Sequence, residues 1–217
     1  MELCFNNCNF YENGENSFYI NMIKPFAKVI FDVGVGGDSI FDTFDGIVHY
    51  FEPRIESLDN LKKTLNNKES YLNNFGLGNS DTTIPFYKEY ESFVNRSVSF
   101  PEGNSQIETL TIKTGFDYIR KNNIALIDFL KIDTEGYEFD VIKGFYSSIS
   151  RIKCIQFEYG GTFKDSGIKL NDVIEYLEEH GFINFSYLHQ NGLVKIEDRT
   201  DHYQYCNIVC FNRMIYT

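Results

Sequence analysis

Four carboxylates stand at the ends of short apolar runs: Asp32, Glu52, Asp133 and Glu158. Asp32 interrupts Val29-Ile30-Phe31, Glu52 closes Ile47-Val48-His49-Tyr50-Phe51, Asp133 closes residues 124–132, and Glu158 closes residues 152–157. Runs this short, rich in β-branched and aromatic residues, predict buried strands. The four acids then share the carboxyl rim of one sheet, where open α/β sheets bind their ligands. One acid in such a place has an ordinary explanation, because acids cap helices and suit helix N-termini. Four on one rim point to a site.

The chain after Asp32 reads Val33-Gly34-Val35-Gly36-Gly37-Asp38. Glycines let a backbone approach a ligand with no Cβ in the way. Strand, glycine turn and a helix beginning at Ser39-Ile40-Phe41 form the front of a nucleotide-binding βαβ unit, and Glu52, at the end of the next strand, follows Asp32 by twenty positions. That is the spacing of an acid that hydrogen-bonds ribose hydroxyls, so an adenosine-containing cofactor is expected. Pro53 then opens a helix in a position that suits proline.

The elements that must hold this rim follow in order. Residues 1–27 form a polar lead-in, with a short hairpin expected at Asn13-Gly14. Helices are predicted over 38–44, 55–66, 114–121, 135–146 and 170–180. Strands are predicted over 29–33, 47–51, 70–77, 82–87, 108–112, 124–132, 152–157, 182–188 and 205–211. Gly78-Asn79-Ser80-Asp81 is a turn, and residues 160–166 a loop. Residues 88–107, with Pro101 and Gly103, carry no period; this stretch and 160–167 are expected to set specificity. Alternation of strand and helix predicts an α/β, doubly wound, Rossmann-like sheet of about seven strands. Two closing strands with no helix between them put one antiparallel strand near an edge. The expected domain count is one, spanning 1–217.

Composition narrows the class. The chain has 217 residues, 42% apolar and 24% charged, as in ordinary globular domains. Its net charge is −11, which disfavours a nucleic-acid partner. No apolar run has the length of a membrane span. Met1-Glu2-Leu3-Cys4 leads into Asn-rich sequence, so no signal peptide is expected. An odd count of five cysteines then predicts reduced thiols and a cytoplasmic setting. Cys206 and Cys210 share one face of a strand, which suits small core residues better than zinc ligands.

Several segments together resemble the FkbM-type methyltransferases: Phe31-Asp32-Val33-Gly34, Phe51-Glu52-Pro53, Leu130-Lys131-Ile132-Asp133-Thr134-Glu135-Gly136-Tyr137-Glu138, Lys143-Gly144 and Gln156-Phe157-Glu158. The resemblance covers about residues 28–160 and implies a class I methyltransferase fold. It also implies S-adenosylmethionine-dependent O-methylation of a hydroxyl on a sugar, glycan or glycosylated small molecule. Where the family commonly has Ala-Asn-x-Gly, this chain has Val35-Gly36-Gly37-Asp38.

Roles follow from that resemblance. Gly34, Val35 and Gly36 pass under the cofactor, Asp32 supports the turn and the methionyl amine, Glu52 with Pro53 holds the ribose, and Gly78 and Asn79 meet the adenine edge. Asp133 faces the methionyl end or the acceptor, and Glu158 faces the acceptor. Either is a candidate base; as a pair they are candidate ligands for a divalent metal such as Mg²⁺. His189 is a third candidate base, ahead of His202, in the late hairpin region. His49 reads as structural, and His180 suits a helix C-terminus. Lys131, in an apolar strand, is either a snorkelling side chain or a partner for Asp133 or Glu158. A nicotinamide-dependent oxidoreductase is the alternative that the glycine turn and Glu52 also fit.

Overall fold

The computed structural model describes residues 8–97 and 106–214. Eleven strands occur among them: β1 (Val29–Val33), β2 (Ile47–Phe51), β3 (Glu69–Asn73), β4 (Gly76–Gly78), β5 (Thr82–Tyr87), β6 (Ile107–Thr114), β7 (Ile127–Ile132), β8 (Ile152–Tyr159), β9 (Phe182–His189), β10 (Gly192–Lys195) and β11 (Cys206–Asn212). Six α-helices accompany them: α1 (Glu15–Phe18), α2 (Ile55–Thr64), α3 (Gly115–Lys121), α4 (Glu138–Lys143), α5 (Gly161–Ser166) and α6 (Leu170–Glu179).

The main sheet has eight strands in the order β10-β9-β11-β8-β7-β1-β2-β3. β3, β2, β1, β7 and β8 run parallel. β11 is antiparallel to β8 and β9, on either side of it. The strand beyond the expected seven is β10, a short antiparallel partner of β9. A second sheet, β4-β6-β5, stands apart from the first.

Period-two alternation in the central strands separates two cores. Phe31, Phe51, Leu130, Ile155 and Phe157 face Ile119 of α3, Val141 and Ile142 of α4, and Val173, Ile174 and Leu177 of α6. Ile30, Val48, Tyr50, Phe129 and Cys154 face Leu58 and Leu61 of α2, together with Phe18, Tyr19 and Ile23 of the lead-in. Each such side chain contributes about 1.5–3 kcal/mol by leaving water. Helix α6 buries Leu170, Val173, Ile174 and Leu177, one face of a 3.6-residue period. Cys154, Cys206 and Cys210 are buried; Cys4 lies outside the described residues.

Local chemistry explains where the structure departs from expectation. Residues 38–44 form no helix, only a turn over 40–43, because Ser39 Oγ donates to Asp32 Oδ2 at 2.6 Å and accepts the Phe41 N–H at 3.1 Å. At Asn13-Gly14 there is no hairpin: Gly14, at φ +103°, leads into α1 and a π-helical turn, Tyr19–Ile23. The expected strand over 70–77 breaks at Asn74-Phe75, where Asn74 Nδ2 donates to the carbonyls of Glu52 and Pro53. Gly76 and Gly78 then let β4 lie against Ile112 of β6, where any Cβ would stand 2.8 or 2.6 Å from that side chain. Helix α4 begins at Glu138 and not 135, because Glu135 and Gly136 have φ of +53° and +107°. Residues 161–166 form α5, not a loop. No helix among the described residues is long and apolar enough to cross a membrane.

Candidate active site

A cavity of about 390 Å³ opens at the carboxyl ends of β1, β2, β7 and β8. Asp32, Gly34, Val35, Gly36, Glu52, Pro53, Asp133 and Glu158 all line it. Parallel pairing of β1 with β2 and β7, and of β7 with β8, brings these distant positions to one rim. The structure places Gly76 and Leu77 on the wall beside them. Gly78 and Asn79 lie off it: the Gly78 carbonyl backs onto Gly144, and Asn79 Nδ2 donates to Asp140 Oδ1 at 2.6 Å. His189 is also off the wall, its carbonyl packed over Gly14 at the edge of the sheet. His202 lies against Tyr159, with Nε2 3.1 Å from Tyr187 Oη. His49 is buried within β2, against Tyr71 and Tyr118, and burial drops its pKa to about 4.

Asp32 is 2% exposed. Its Oδ2 accepts from Ser39, while Oδ1 has no hydrogen-bond partner among the described residues. Burial raises its pKa to about 6, against the pull of Lys131 and Ser39. A buried carboxylate oxygen left unpaired is costly without a donor. Glu52 accepts the Gly36 N–H on Oε2 at 3.1 Å and the Arg54 N–H on Oε1 at 2.7 Å. Each oxygen keeps a second lone pair for a ligand hydroxyl. Gly34 brings the first loop against β7's end, and Gly36, at φ +64°, has open space where a Cβ would stand. Beside them the Arg54 guanidinium lies 5.0 Å from the Phe86 ring centroid.

On the other side of the cavity, Asp133, Glu135 and Glu158 offer oxygens that all lie within 4.8 Å of one another. Lys131 Nζ donates to Asp133 Oδ2 at 2.9 Å and lies 4.0 Å from Glu15 Oε2. Burial works against the Lys131 charge, but Asp133, Glu15 and Asp32 overcome it and hold the ammonium charged. Burial alone would raise the Asp133 pKa; Lys131 and a hydrogen bond with Glu158 bring it below the ordinary range. Glu158 is pushed well above that range, by burial first and then by the Asp133 charge. Of the two, Glu158 therefore holds a proton more readily and Asp133 gives one up more readily. Glu135 is raised to about 7 by burial, then by Asp133 and Glu138.

Glu138 of the same segment builds the turn and does not reach the cavity lining. It is 1% exposed, and its carboxylate accepts from the Thr134 and Gly136 N–H groups and from Thr134 Oγ1. The sequence reading also missed Cys8, Phe10, Glu15, Arg54, Phe93 and Tyr205, which line the cavity from outside the four strand ends. For Arg54 a signal existed, since it follows Glu52-Pro53 directly. For Glu15 none existed.

The Methyltransferase FkbM domain family model matches residues 38–183. The chain belongs to the FkbM methyltransferase domain family. No curated protein matches it. Among solved structures, Methyltransferase FkbM from Methylobacillus flagellatus KT aligns with TM-score 0.56 and 16% identity, over 91% of this chain and 48% of that one. This chain therefore spans about half the length of that FkbM protein, and the likeness is one of fold. A TehB-like SAM-dependent methyltransferase from Corynebacterium glutamicum ATCC 13032 Kitasato aligns with TM-score 0.49 and 12% identity, over 91% of this chain and 87% of that one. The FkbM match begins at Asp38, after Asp32 and the first glycines, so the whole lead-in lies ahead of it.

Proposed function

We propose that the chain is an S-adenosylmethionine-dependent O-methyltransferase acting on a hydroxyl of a sugar, a glycan or a glycosylated small molecule. One observation carries this reading: a buried carboxylate oxygen without a partner, Asp32 Oδ1, lines the same cavity as the proton-sharing Asp133–Glu158 pair. A donor with an ammonium group fits that oxygen, and a hydroxyl to be deprotonated fits that pair.

When bound, the cofactor supplies an electrophilic methyl group on a sulfonium. Asp32 Oδ1 would receive its ammonium, and Glu52 would accept both ribose hydroxyls on its free lone pairs. Gly36 leaves space for it, and Pro53, Leu77 and Phe86 supply apolar walls. The acceptor hydroxyl would lie against Asp133 and Glu158. Methyl transfer is an in-line displacement, and most of its acceleration comes from holding the reacting atoms about 3 Å apart. The hydroxyl is a poor nucleophile, so the carboxyl pair receives its proton as the new bond forms. Lys131 sets the order within the pair: it favours the ionised form of Asp133, while burial and the Asp133 charge raise Glu158 above the ordinary carboxylate range.

A second reading has its own observation. Three carboxylate oxygens within 4.8 Å are also a hard donor set for Mg²⁺, with Lys131 competing for Asp133. Chelator treatment separates the two readings: a base mechanism survives it, while a metal mechanism loses activity and recovers with added Mg²⁺.

The cofactor assignment is tested through Glu52. The protein is expected to bind S-adenosylhomocysteine and not NAD. Glu52→Ala is expected to weaken that binding at least about tenfold, because hydrogen bonds to a charged group are worth about 1.5–3 kcal/mol each. Calorimetry reads the affinity, and thermal unfolding checks that the variant folds. NAD binding without S-adenosylhomocysteine binding would give the site to an oxidoreductase. An unchanged affinity in the folded variant would place the ribose elsewhere.

A further inference from the structure

The lead-in reaches the cavity through Cys8, Phe10 and Glu15, all ahead of the family match. Glu15 is 4% exposed. Its Oε1 accepts from Asn13 Nδ2 at 2.7 Å, and its Oε2 from Gln156 Nε2 at 2.8 Å. Gln156 is itself buried in β8 and also donates to Asn207 Oδ1 at 3.3 Å. Two amides thus fix the carboxylate at the cavity wall. The same Oε2 lies 4.0 Å from Lys131 Nζ, which lies 2.9 Å from Asp133 Oδ2. Carboxylate, ammonium and carboxylate therefore alternate along one wall.

That alternation has a natural complement. Each carboxylate oxygen can accept a second hydrogen bond, and the ammonium has two N–H donors left after Asp133. A hydroxyl both donates and accepts. Two hydroxyls on neighbouring carbons can each donate to one carboxylate and accept from the shared ammonium. An anionic group would meet one cation flanked by two acids, and an apolar group would bury all three unsatisfied. We propose that Glu15 is an acceptor-binding residue, and that Glu15, Lys131 and Asp133 together read two adjacent hydroxyls of a neutral polyol. The inference rests on the methyltransferase reading in one respect: the hydroxyl held by Asp133 is then the one methylated.

The test is a binding experiment and needs no turnover. S-adenosylhomocysteine binding is first measured by calorimetry; its failure removes the methyltransferase reading, and the same titrations then proceed on the protein alone. Methyl pyranosides of differing ring configuration are titrated and followed by saturation-transfer NMR, beside counterparts lacking one ring hydroxyl and a uronate. At least one neutral pyranoside should bind with millimolar affinity, and loss of either adjacent hydroxyl should weaken it about tenfold. The uronate should bind more weakly than its neutral counterpart. Glu15→Gln should weaken the same pyranoside about fivefold, since the hydrogen bond loses its ionic acceptor, with S-adenosylhomocysteine affinity unchanged. Its thermal unfolding temperature should fall somewhat, because the new amide meets the Asn13 and Gln156 donors, and is read only to show that the variant is folded at the temperature of the titration. If Glu15→Gln does not fold, the deoxy series on the wild-type protein decides alone. The inference fails if no pyranoside of the panel binds, if loss of either hydroxyl is without effect, if the uronate binds tighter, or if folded Glu15→Gln binds as wild type does.

Discussion

Glu158→Gln is expected to lower turnover by about a hundredfold to ten-thousandfold, the range for loss of a general base, while leaving S-adenosylhomocysteine affinity within about twofold. The amide keeps the shape of the carboxyl, and Glu158 is not among the groups proposed to hold the cofactor. The pH profile supplies the independent readout. Glu158 titrates well above the usual carboxylate range, because it is buried beside the Asp133 charge. A base works only when unprotonated, so a raised pKa moves the rising limb of activity to higher pH. Wild-type kcat/KM should therefore rise at a higher pH than an ordinary carboxylate base would give, with an apparent pKa that belongs to the Asp133–Glu158 pair. In Glu158→Gln that limb should vanish. On an acceptor that the wild type methylates, turnover within twofold and an unchanged profile would make Glu158 structural.

Gly34→Ala is expected to destabilise the fold by about 3 kcal/mol or more, which is exceptional for one methyl group. Gly34 has φ +82°, and a Cβ there would stand 1.9 Å from the carbonyl oxygen of Asp133. That oxygen belongs to the backbone, so relief requires the ends of β1 and β7 to part. Their separation would break the bond from the Asp133 N–H to the Val33 carbonyl, 2.9 Å in length. Gly36→Ala is the matched control. Its φ is +64° but nothing lies within 4 Å, so the cost is the left-handed backbone alone, about 1–2 kcal/mol. Urea unfolding should rank Gly34→Ala far below Gly36→Ala. Equal midpoints would mean that the loop is looser than its packing implies.

The rim acids were legible because strand ends are legible. Asp32, Glu52, Asp133 and Glu158 each follow an apolar run, and parallel pairing carries such ends to one side. Gly78 and Asn79 were misplaced because the break at Asn74-Phe75 depends on side-chain bonds to Glu52 and Pro53, which no periodicity records. Glu138 looked like an ordinary residue of a helix; its role appears only once Glu135 and Gly136 are seen in left-handed backbone. His189 stood near the right strand, but the β9–β10 turn leaves it beside Gly14 and off the cavity wall. Glu15 was invisible for a plainer reason. Its partner Gln156 is 141 positions away, and nothing local marks a glutamate that will be buried.

The placement of β11 bears on how the molecule is made. It follows β9 and β10 in the chain, yet lies between β8 and β9 in the sheet. During synthesis, β8 therefore offers an unpaired row of backbone groups while a further fifty or so residues emerge, at about 5–20 residues per second. The β9–β10 hairpin can form in that interval, but the strand that joins it to β8 is not yet made. An unpaired edge of this kind invites pairing with other chains. Crowding of nascent chains should thus be most damaging in the few seconds before β11 is released, and a ribosome stalled there would hold every rim acid and no closed sheet.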